Sequence, residues 1–357
     1  MNMGRKIKVL VIDDSALMRQ LLTVLLQQDP AIHVVGTAPD PLIAREKIKH
    51  LKPDVLTLDI EMPLMDGLTF LEKLMRLHPM PVVMVSSLTE KGGELTLKAL
   101  DLGAVDFVAK PRDNLREGMQ ALADEICAKV HMAARARVHI SPEQYAAIPD
   151  ASTSPLASAN ERVVTIGASA GGTQAIAEIL TQLPEHMPGI AVVQHMPAKF
   201  TTLFAAHLNA RSRLDVREAQ DGDRLQAGTA LIAPGGLHMA LTRDTNGYAV
   251  RVYHGAPVNL HQPAVDVLFD SAAKCARADA LGILLTGMGG DGAKGLLAMK
   301  NAGAHTIAQD EATSVIFGMP EQAIKLGAAH EIAALDKIAR RIVSWAGDAG
   351  SIAANAR

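Results

Sequence analysis

Five short apolar runs alternate with helical patterns over the first 125 residues, and this alternation constrains the fold more than any other feature. Each run is rich in Val, Ile and Leu, as strands buried on both faces are. Strands and helices in strict alternation predict a parallel, doubly wound sheet. The predicted strands cover 8–12, 32–37, 55–58, 82–85 and 106–108, and the predicted helices cover 16–28, 41–51, 68–77, 94–102 and 115–136.

Polar side chains follow four of these strands, at the edge where ligands of such a sheet collect. Asp13 and Asp14 follow the first strand, and Asp59 follows the third. Ser86 and Lys110 follow the fourth and fifth. Three converging carboxylates repel one another unless a hard cation such as Mg²⁺ lies among them. Taken singly, Asp14 could be only a helix cap and Lys110 only a surface lysine, but all five together predict a site for phosphoryl transfer to a carboxylate.

The segments VLVIDDS, LTLDIEMPLMDGL, VVMVSS and GAVDFVAKP resemble the motifs of two-component receiver domains. The resemblance implies a flavodoxin-like fold in which Asp59 is the phosphorylation site. It also implies that Mg²⁺ is held by Asp13, Asp14 and Asp59. The residues that contact the phosphoryl group or relay its presence are then Ser86, Lys110 and the switch aromatic Phe107.

A segment rich in Ala, Ser and Pro follows the first domain. The stretch 141–160, SPEQYAAIPDASTSPLASAN, has little apolar surface to bury, which predicts a flexible linker. A chain of 357 residues is long enough for two cores. We therefore expect a receiver domain at 1–125, a helix end and linker at 126–160, and a catalytic domain at 161–350.

The second half opens with VVTIGASAGG at 163–172, a strand that runs into a turn of small residues around Ser169. This is the pattern of a nucleophile elbow, in which the serine hydroxyl projects from a sharp strand-to-helix turn. A glycine-rich turn could instead bind phosphate at the helix N-terminus. The spacing G-x-S-x-G-G favours the nucleophile, as does His195 after the next strand, where a dinucleotide-binding fold usually has an acidic residue.

A third polar residue, Asp291, lies in the glycine-rich loop TGMGGDGAKG after a buried strand. Because the ends of parallel strands share one edge, a Ser169–His195–Asp291 triad is geometrically plausible. Asp291 alone could equally be a helix N-cap. His238 and His261 lie in loops and could line the same site.

Backbone amides near Ala170 or Met288 are candidate donors to an oxyanion. The order Ser, His, Asp along the chain differs from that of α/β-hydrolases, so a different doubly wound parallel-sheet hydrolase fold is expected.

The segments IGASAGG, VVQHMP, IAPGGLHM, LLTGMGGDGAKGL and AQDEATSVIFGMPEQAI resemble the catalytic domain of the chemotaxis methylesterases, the CheB family. The family's triad falls on Ser169, His195 and Asp291. The resemblance implies hydrolysis of glutamate methyl esters on chemoreceptor helices, with release of methanol, and deamidation of specific glutamines there. Where many members have Arg and Ser, this chain has Gln262 and Ala264, which puts substrate contacts from that loop in doubt.

The same resemblance implies methyl-accepting chemoreceptors as substrate, a chemotaxis histidine kinase as phosphoryl donor, Mg²⁺ in the receiver domain and no cofactor for the ester chemistry. A net charge of −3 and 3% aromatic residues argue against nucleic acid as a partner. The N-terminus lacks the apolar segment of a signal peptide, and Pro234 breaks the longest uncharged run, so we expect a cytoplasmic protein without membrane insertion.

Two other functions fit parts of the pattern. The second half could be a non-catalytic binding module switched by the receiver, or a hydrolase of another ester. Labelling of Ser169 by a fluorophosphonate separates the binding module from the hydrolases, and incubation with methylated receptors separates the two hydrolases.

Overall fold

The structure is a computed structural model that describes residues 5–63, 65–86, 90–110, 115–138 and 160–347. The chain divides into two units, Met1–Ser141 and Pro142–Arg357. The expected linker at 141–160 lies outside the described residues except for Asn160. No helix within the described ranges is long and apolar enough to cross a membrane.

The first unit is a five-stranded parallel sheet with strand order β2-β1-β3-β4-β5. Its elements are β1 Ile7–Ile12, α1 Ala16–Gln27, β2 Ile32–Ala38, α2 Pro41–Leu51, β3 Val55–Asp59, α3 Gly67–Leu77, β4 Val82–Ser86, α4 Glu90–Asp101, β5 Asp106–Ala109 and α5 Leu115–Ala133. The predicted doubly wound sheet is confirmed. The largest difference lies in α4, which begins at Glu90, four residues before its predicted start at 94.

Helix starts in this unit follow from local side-chain chemistry. The Asp40 carboxylate accepts hydrogen bonds from the amides of Leu42 and Ile43, and Pro41 occupies the first helical position of α2. Asp66 caps α3 through the amide of Thr69 at 2.7 Å. Both caps lie in segments that follow strands, Asp40 after β2 and Asp66 after β3, at the carboxyl edge of the sheet.

The second unit is a seven-stranded parallel sheet with strand order β14-β13-β12-β6-β7-β9-β8, accompanied by the antiparallel hairpin β10-β11. Its elements are β6 Val163–Ala168, α6 Gly172–Gln182, β7 Gly189–Gln194, α7 Phe200–Asn209, β8 Asp215–Glu218, β9 Thr229–Ile232, β10 His238–Asp244, β11 Gly247–Tyr253, α8 Val265–Cys275, β12 Ala280–Leu284, α9 Ala293–Asn301, β13 His305–Gln309, α10 Met319–Lys325, β14 Glu331–Ala333 and α11 Leu335–Gly347.

The central strand β6 lies between β12 and β7, so the strand order reverses beside it. Such a reversal opens a crevice at the carboxyl ends of the strands. The register pairs Ala168 of β6 with Gln194 of β7, and Gly167 of β6 with Leu284 of β12. The segments that follow β6, β7 and β12 therefore begin side by side.

The short alternating runs of residues 217–249, dense in Gly and Pro, predict hairpins beside the main sheet, and this prediction is only partly right. β10 and β11 form a hairpin, but β8 and β9 pair in parallel at the edge of the main sheet. Ala230, Leu231 and Ile232 of β9 are fully buried there, and this burial favours sheet extension over a separate hairpin.

Candidate active site

Ser169 lies in the turn between β6 and α6. Its amide donates to the Thr286 carbonyl at 3.0 Å, and its carbonyl accepts from the Gly172 amide at 2.8 Å. Gly171 has a φ of +74°, and a Cβ there would lie 2.5 Å from Cβ of Val315. Glycine is therefore required for the turn, which leaves the Ser169 side chain partly exposed at the sheet edge.

His195, directly after β7, lies beside Ser169 and binds Asp291. The His195 amide donates to the Ala168 carbonyl at 3.1 Å, and its Nε2 lies 2.8 Å from Oδ2 of Asp291. Nδ1 is buried and has no hydrogen-bond partner among the described residues. A neutral ring that donates Nε2–H to Asp291 keeps the Nδ1 lone pair free to accept a proton. Hydrogen bonds between catalytic groups often shorten only when substrate binds, so an Nδ1 left unpaired in the part of the chain that the structure describes is compatible with a role as the base.

Asp291 receives hydrogen bonds on both carboxylate oxygens. In addition to His195, the donors are Nδ2 of Asn259 at 2.7 Å and the backbone amides of Val265 at 2.7 Å and Asp266 at 3.2 Å. Burial by itself raises the pKa of Asp291, but the hydrogen bonds from His195 and Asn259 outweigh it and hold the pKa at about 2. The carboxylate is therefore anionic at neutral pH.

The two amides from Val265 and Asp266 belong to the first turn of α8. The N-cap of that helix is Ala264, whose side chain offers no cap. Asp291 supplies the missing acceptor from a distant loop and places its negative charge at the positive end of the helix. The alternative prediction, a cap on the following helix α9, is wrong, because α9 begins after Gly292 without a side-chain cap.

A second histidine contacts the pair. The ring of His261 is stacked on that of His195, with centroids 3.7 Å apart and planes inclined by 13°. Burial and the adjacent His195 ring lower the pKa of His261 to about 4, so this ring is neutral at neutral pH. The prediction that His238 lies in a loop is wrong, because it is the buried first residue of β10. Its Nε2 lies 2.9 Å from the carbonyl of Ala256.

Two buried polar residues tie the strand ends together. Nε2 of Gln194 lies 2.9 Å from the carbonyl of Ser169 and 3.1 Å from that of His195. Oγ1 of Thr286 donates to the carbonyl of Ala170 at 2.9 Å. Neither residue is among the predicted site residues, although a polar residue at the buried end of an apolar strand is a usable signal. The Ser169 amide already donates to the carbonyl of Thr286. The backbone amides predicted near Ala170 and Met288 therefore remain the candidate hydrogen-bond donors to an oxyanion.

The first unit brings its predicted acidic residues together. Oxygens of Asp13, Asp14 and Asp59 all lie within 4.8 Å of one another. Nζ of Lys110 is 3.1 Å from Oδ2 of Asp13 and 2.8 Å from Oδ2 of Asp59. Burial raises the pKa of Asp59 to about 6. The Asp13 carboxylate also raises this pKa, and Lys110 lowers it.

This donor set fits a divalent cation. Three carboxylates lie near the ammonium group of Lys110 and the guanidinium of Arg19, which donates to the carbonyls of Asp13 and Asp14 at 2.8 Å, so negative charge is still in excess. Oδ2 of Asp13 and of Asp59 are buried and accept no well-aligned hydrogen bond within the described part of the chain, although both face Lys110. Mg²⁺ prefers carboxylate oxygens and retains several waters, which the exposed side chain of Asp14 allows.

Of the three predicted switch residues, Ser86 and Phe107 lie on the neighbouring strands β4 and β5, and Lys110 directly follows β5. Oγ of Ser86 lies 3.2 Å from the carbonyl of Gly92 and accepts a hydrogen bond from Thr96 at 2.8 Å, which connects it to α4. The Phe107 ring is 4% exposed, and Nζ of Lys129 lies 4.9 Å from its centroid. Thr96 is a partner of Ser86 that the sequence analysis did not identify.

Comparison with known proteins matches both units. Residues 164–342 match the family described as CheB methylesterase, and residues 9–122 match the response regulator receiver domain. The protein-glutamate methylesterase/protein-glutamine glutaminase of Bordetella bronchiseptica is 55% identical over 97% of this chain and 99% of its own length. The protein-glutamate methylesterase/protein-glutamine glutaminase 2 of Pseudomonas aeruginosa is 53% identical over 97% and 98%. The crystal structure of the Thermotoga maritima CheB methylesterase catalytic domain matches with a TM-score of 0.51 and 37% identity, covering 52% of this chain and 98% of that one.

Proposed function

Because the chain belongs to the CheB methylesterase family and carries a receiver domain, we propose that it hydrolyses glutamate methyl esters and deamidates specific glutamines on the cytoplasmic helices of chemoreceptors. Ser169, His195 and Asp291 form the catalytic triad of this reaction. The single observation that carries the proposal is the buried His195–Asp291 pair at 2.8 Å, next to the serine turn. No cofactor takes part in this chemistry.

We assign each residue of the triad a step in the reaction. Nδ1 of His195 removes the proton from Oγ of Ser169 as the oxygen attacks the carbonyl carbon of the substrate. The imidazolium that forms is stabilised by Asp291 and then returns the proton to the leaving group, so that methanol or ammonia departs and a glutamyl-serine ester remains. Water, deprotonated by the same nitrogen, attacks that ester, and the glutamate and the free serine are restored.

The receiver domain regulates this activity through phosphorylation of Asp59, with a chemotaxis histidine kinase as the phosphoryl donor. Asp13, Asp14 and Asp59 would hold Mg²⁺, which when bound neutralises the charge of the phosphoryl oxygens. Lys110 binds the phosphoryl group on the side away from the metal ion. Ser86 gives up its hydrogen bond with Thr96 and contacts the phosphoryl group instead, and the Phe107 ring then changes position. We assign the receiver to 1–125, the helix end and flexible linker to 126–160 and the catalytic domain to 161–350. We place the protein in the cytoplasm with its substrate.

The test is the release of methanol from receptor membranes that carry methylated glutamates, combined with labelling by a fluorophosphonate. We expect labelling at Ser169 and methanol release by the wild type. Absence of labelling would favour a binding module. Labelling without methanol release would favour hydrolysis of another ester.

A further inference from the structure

One tight turn contacts both members of the His195–Asp291 pair. The amide of His261 donates to the carbonyl of Val258 at 2.9 Å, and the amide of Val258 donates to the carbonyl of His261 at 3.1 Å. The two residues between them, Asn259 and Leu260, have φ angles of 51° and 68°. This is the pattern of a type I′ turn, in which both central residues are left-handed.

The turn is unusual because neither central residue is glycine. Asn tolerates positive φ, but Leu rarely adopts it, and Leu260 is 94% exposed, so no burial of its side chain offsets the strain. Strained turns persist where the surrounding structure over-determines them, commonly near functional sites. Besides its two backbone hydrogen bonds, the side-chain contacts of Asn259 and His261 hold this turn.

Asn259 holds the acid of the pair. Its Nδ2 lies 2.7 Å from Oδ1 of Asp291 and 2.8 Å from Oδ2 of Asp266. Both carboxylates are buried, and Asp266 in turn accepts from the amide of Gly295 at 2.7 Å. The side-chain amide of Asn259 thus bridges two carboxylates. Together with the backbone amides of Val265 and Asp266, it orients Asp291 independently of His195.

His261 holds the base of the pair. Its ring covers one face of the His195 ring at a centroid distance of 3.7 Å. The His195 side chain is only 8% exposed. Rotation of the His195 ring out of its present plane about the Cβ–Cγ bond would break both this stack and the hydrogen bond to Asp291, and would move Nδ1.

We propose that Asn259 and His261 are positioning residues of the triad, which together keep Nε2 of His195 on Asp291 and Nδ1 available as the base. His261 acts through its flat ring and not through a proton, so another aromatic ring can replace it. Neither residue touches the substrate, and both act through the pair. This inference rests on the proposed function, because it assumes that Ser169 reacts.

The experiment uses full-length variants and two readouts, kcat and KM for methanol release and the rate of fluorophosphonate labelling. His261→Ala, His261→Leu and Asn259→Gly are compared with the wild type, with His261→Phe as rescue. Leu260→Gly is the matched control, since glycine suits a positive φ and the exposed Leu260 side chain contacts neither His195 nor Asp291. Calorimetry shows whether each variant is folded.

We expect His261→Ala, His261→Leu and Asn259→Gly to lower kcat and the labelling rate by about tenfold or more, with KM within about twofold. His261→Phe should recover most of the loss, and Leu260→Gly should label at the wild-type rate. If His261→Ala fails to fold, the comparison of His261→Leu with His261→Phe tests the role of the ring.

Folded His261→Leu and Asn259→Gly variants with wild-type kcat would overturn the proposal. A His261→Phe variant as slow as His261→Leu would overturn the role of the ring. A wild-type protein that is not labelled at Ser169 would instead refute the proposed function itself.

Discussion

Nε2 of His195 faces Oδ2 of Asp291 at 2.8 Å, so the ring nitrogen left to act as the base is Nδ1. In triads of the chymotrypsin type the two nitrogens have the opposite roles. His195 follows β7 and Asp291 lies in the loop after β12, so the two residues approach each other from opposite sides of the serine strand β6.

Replacement of Asp291 by Asn should lower kcat by roughly 10³-fold or more, because the amide no longer fixes the tautomer in which Nδ1 is unprotonated. Stability should also fall, since the anion that caps α8 is lost. Asp270→Asn, on the exposed side of the same helix, is the control. Steady-state methanol release and thermal unfolding are measured together, and an Asp291→Asn variant with near wild-type kcat would contradict the assignment.

Gly287→Ala should reduce activity through the position of the serine. A Cβ at 287 would lie 2.7 Å from Cβ of Ser169 and 2.3 Å from Sδ of Met319. Met319 is flexible, but the serine turn is held by backbone hydrogen bonds and must shift, which we expect to lower kcat about tenfold or more. Gly347→Ala, which meets nothing within 4 Å, is the control. Equal rates for the two variants would show that the turn tolerates the added methyl group.

Asp59→Asn should abolish phosphorylation by acetyl phosphate, together with any increase in methanol release that acetyl phosphate causes. Phosphorylation of the wild type should require Mg²⁺, because Asp13, Asp14 and Asp59 otherwise repel the incoming phosphate. Incorporation of label from radiolabelled acetyl phosphate, with and without excess EDTA, measures phosphorylation of the two proteins and its dependence on Mg²⁺. Incorporation of label that persists in EDTA would argue against the metal site.

The raised pKa of Asp59 predicts how stability depends on pH in the absence of Mg²⁺. Its pKa is about 6 in the folded chain against an ordinary value of 3.8, so the folded state binds this proton more tightly than the unfolded state. The free energy of unfolding of the first unit should therefore fall as pH rises from about 4 to about 6, by at most roughly 3 kcal/mol. Calorimetry in EDTA measures the free energy of unfolding at each pH. The Asp59→Asn variant should lack the decrease between about pH 4 and about pH 6. Identical slopes would contradict the prediction.

Much of the fold could be predicted because strands and turns carry local signals. The apolar runs of the first unit mark every strand of its sheet, and the polar residues after them converge because parallel strands end at one edge. Ser169 and His195 follow adjacent strands for the same reason. The family and its enzymatic function, predicted from the motifs, are confirmed by the comparisons.

The remaining features depend on the paths of loops. Asn259 and His261 reach the triad from a turn that no periodic pattern marks, and their roles depend on contacts with residues far along the chain. The same holds for Asp291, which caps a helix that precedes it by 26 residues and not the helix that follows. Parallel pairing of β8 with β9 likewise depends on burial against the sheet, which short alternating runs do not reveal.

The central claim is that Ser169 is the nucleophile of a methylesterase, and methanol release by a folded Ser169→Ala variant tests it most directly. The partly exposed hydroxyl makes little contribution to packing, so the thermal unfolding of the variant should match that of the wild type. On methylated receptor membranes we expect its rate to fall by roughly 10³-fold or more. A folded variant that releases methanol at near the wild-type rate would contradict the account.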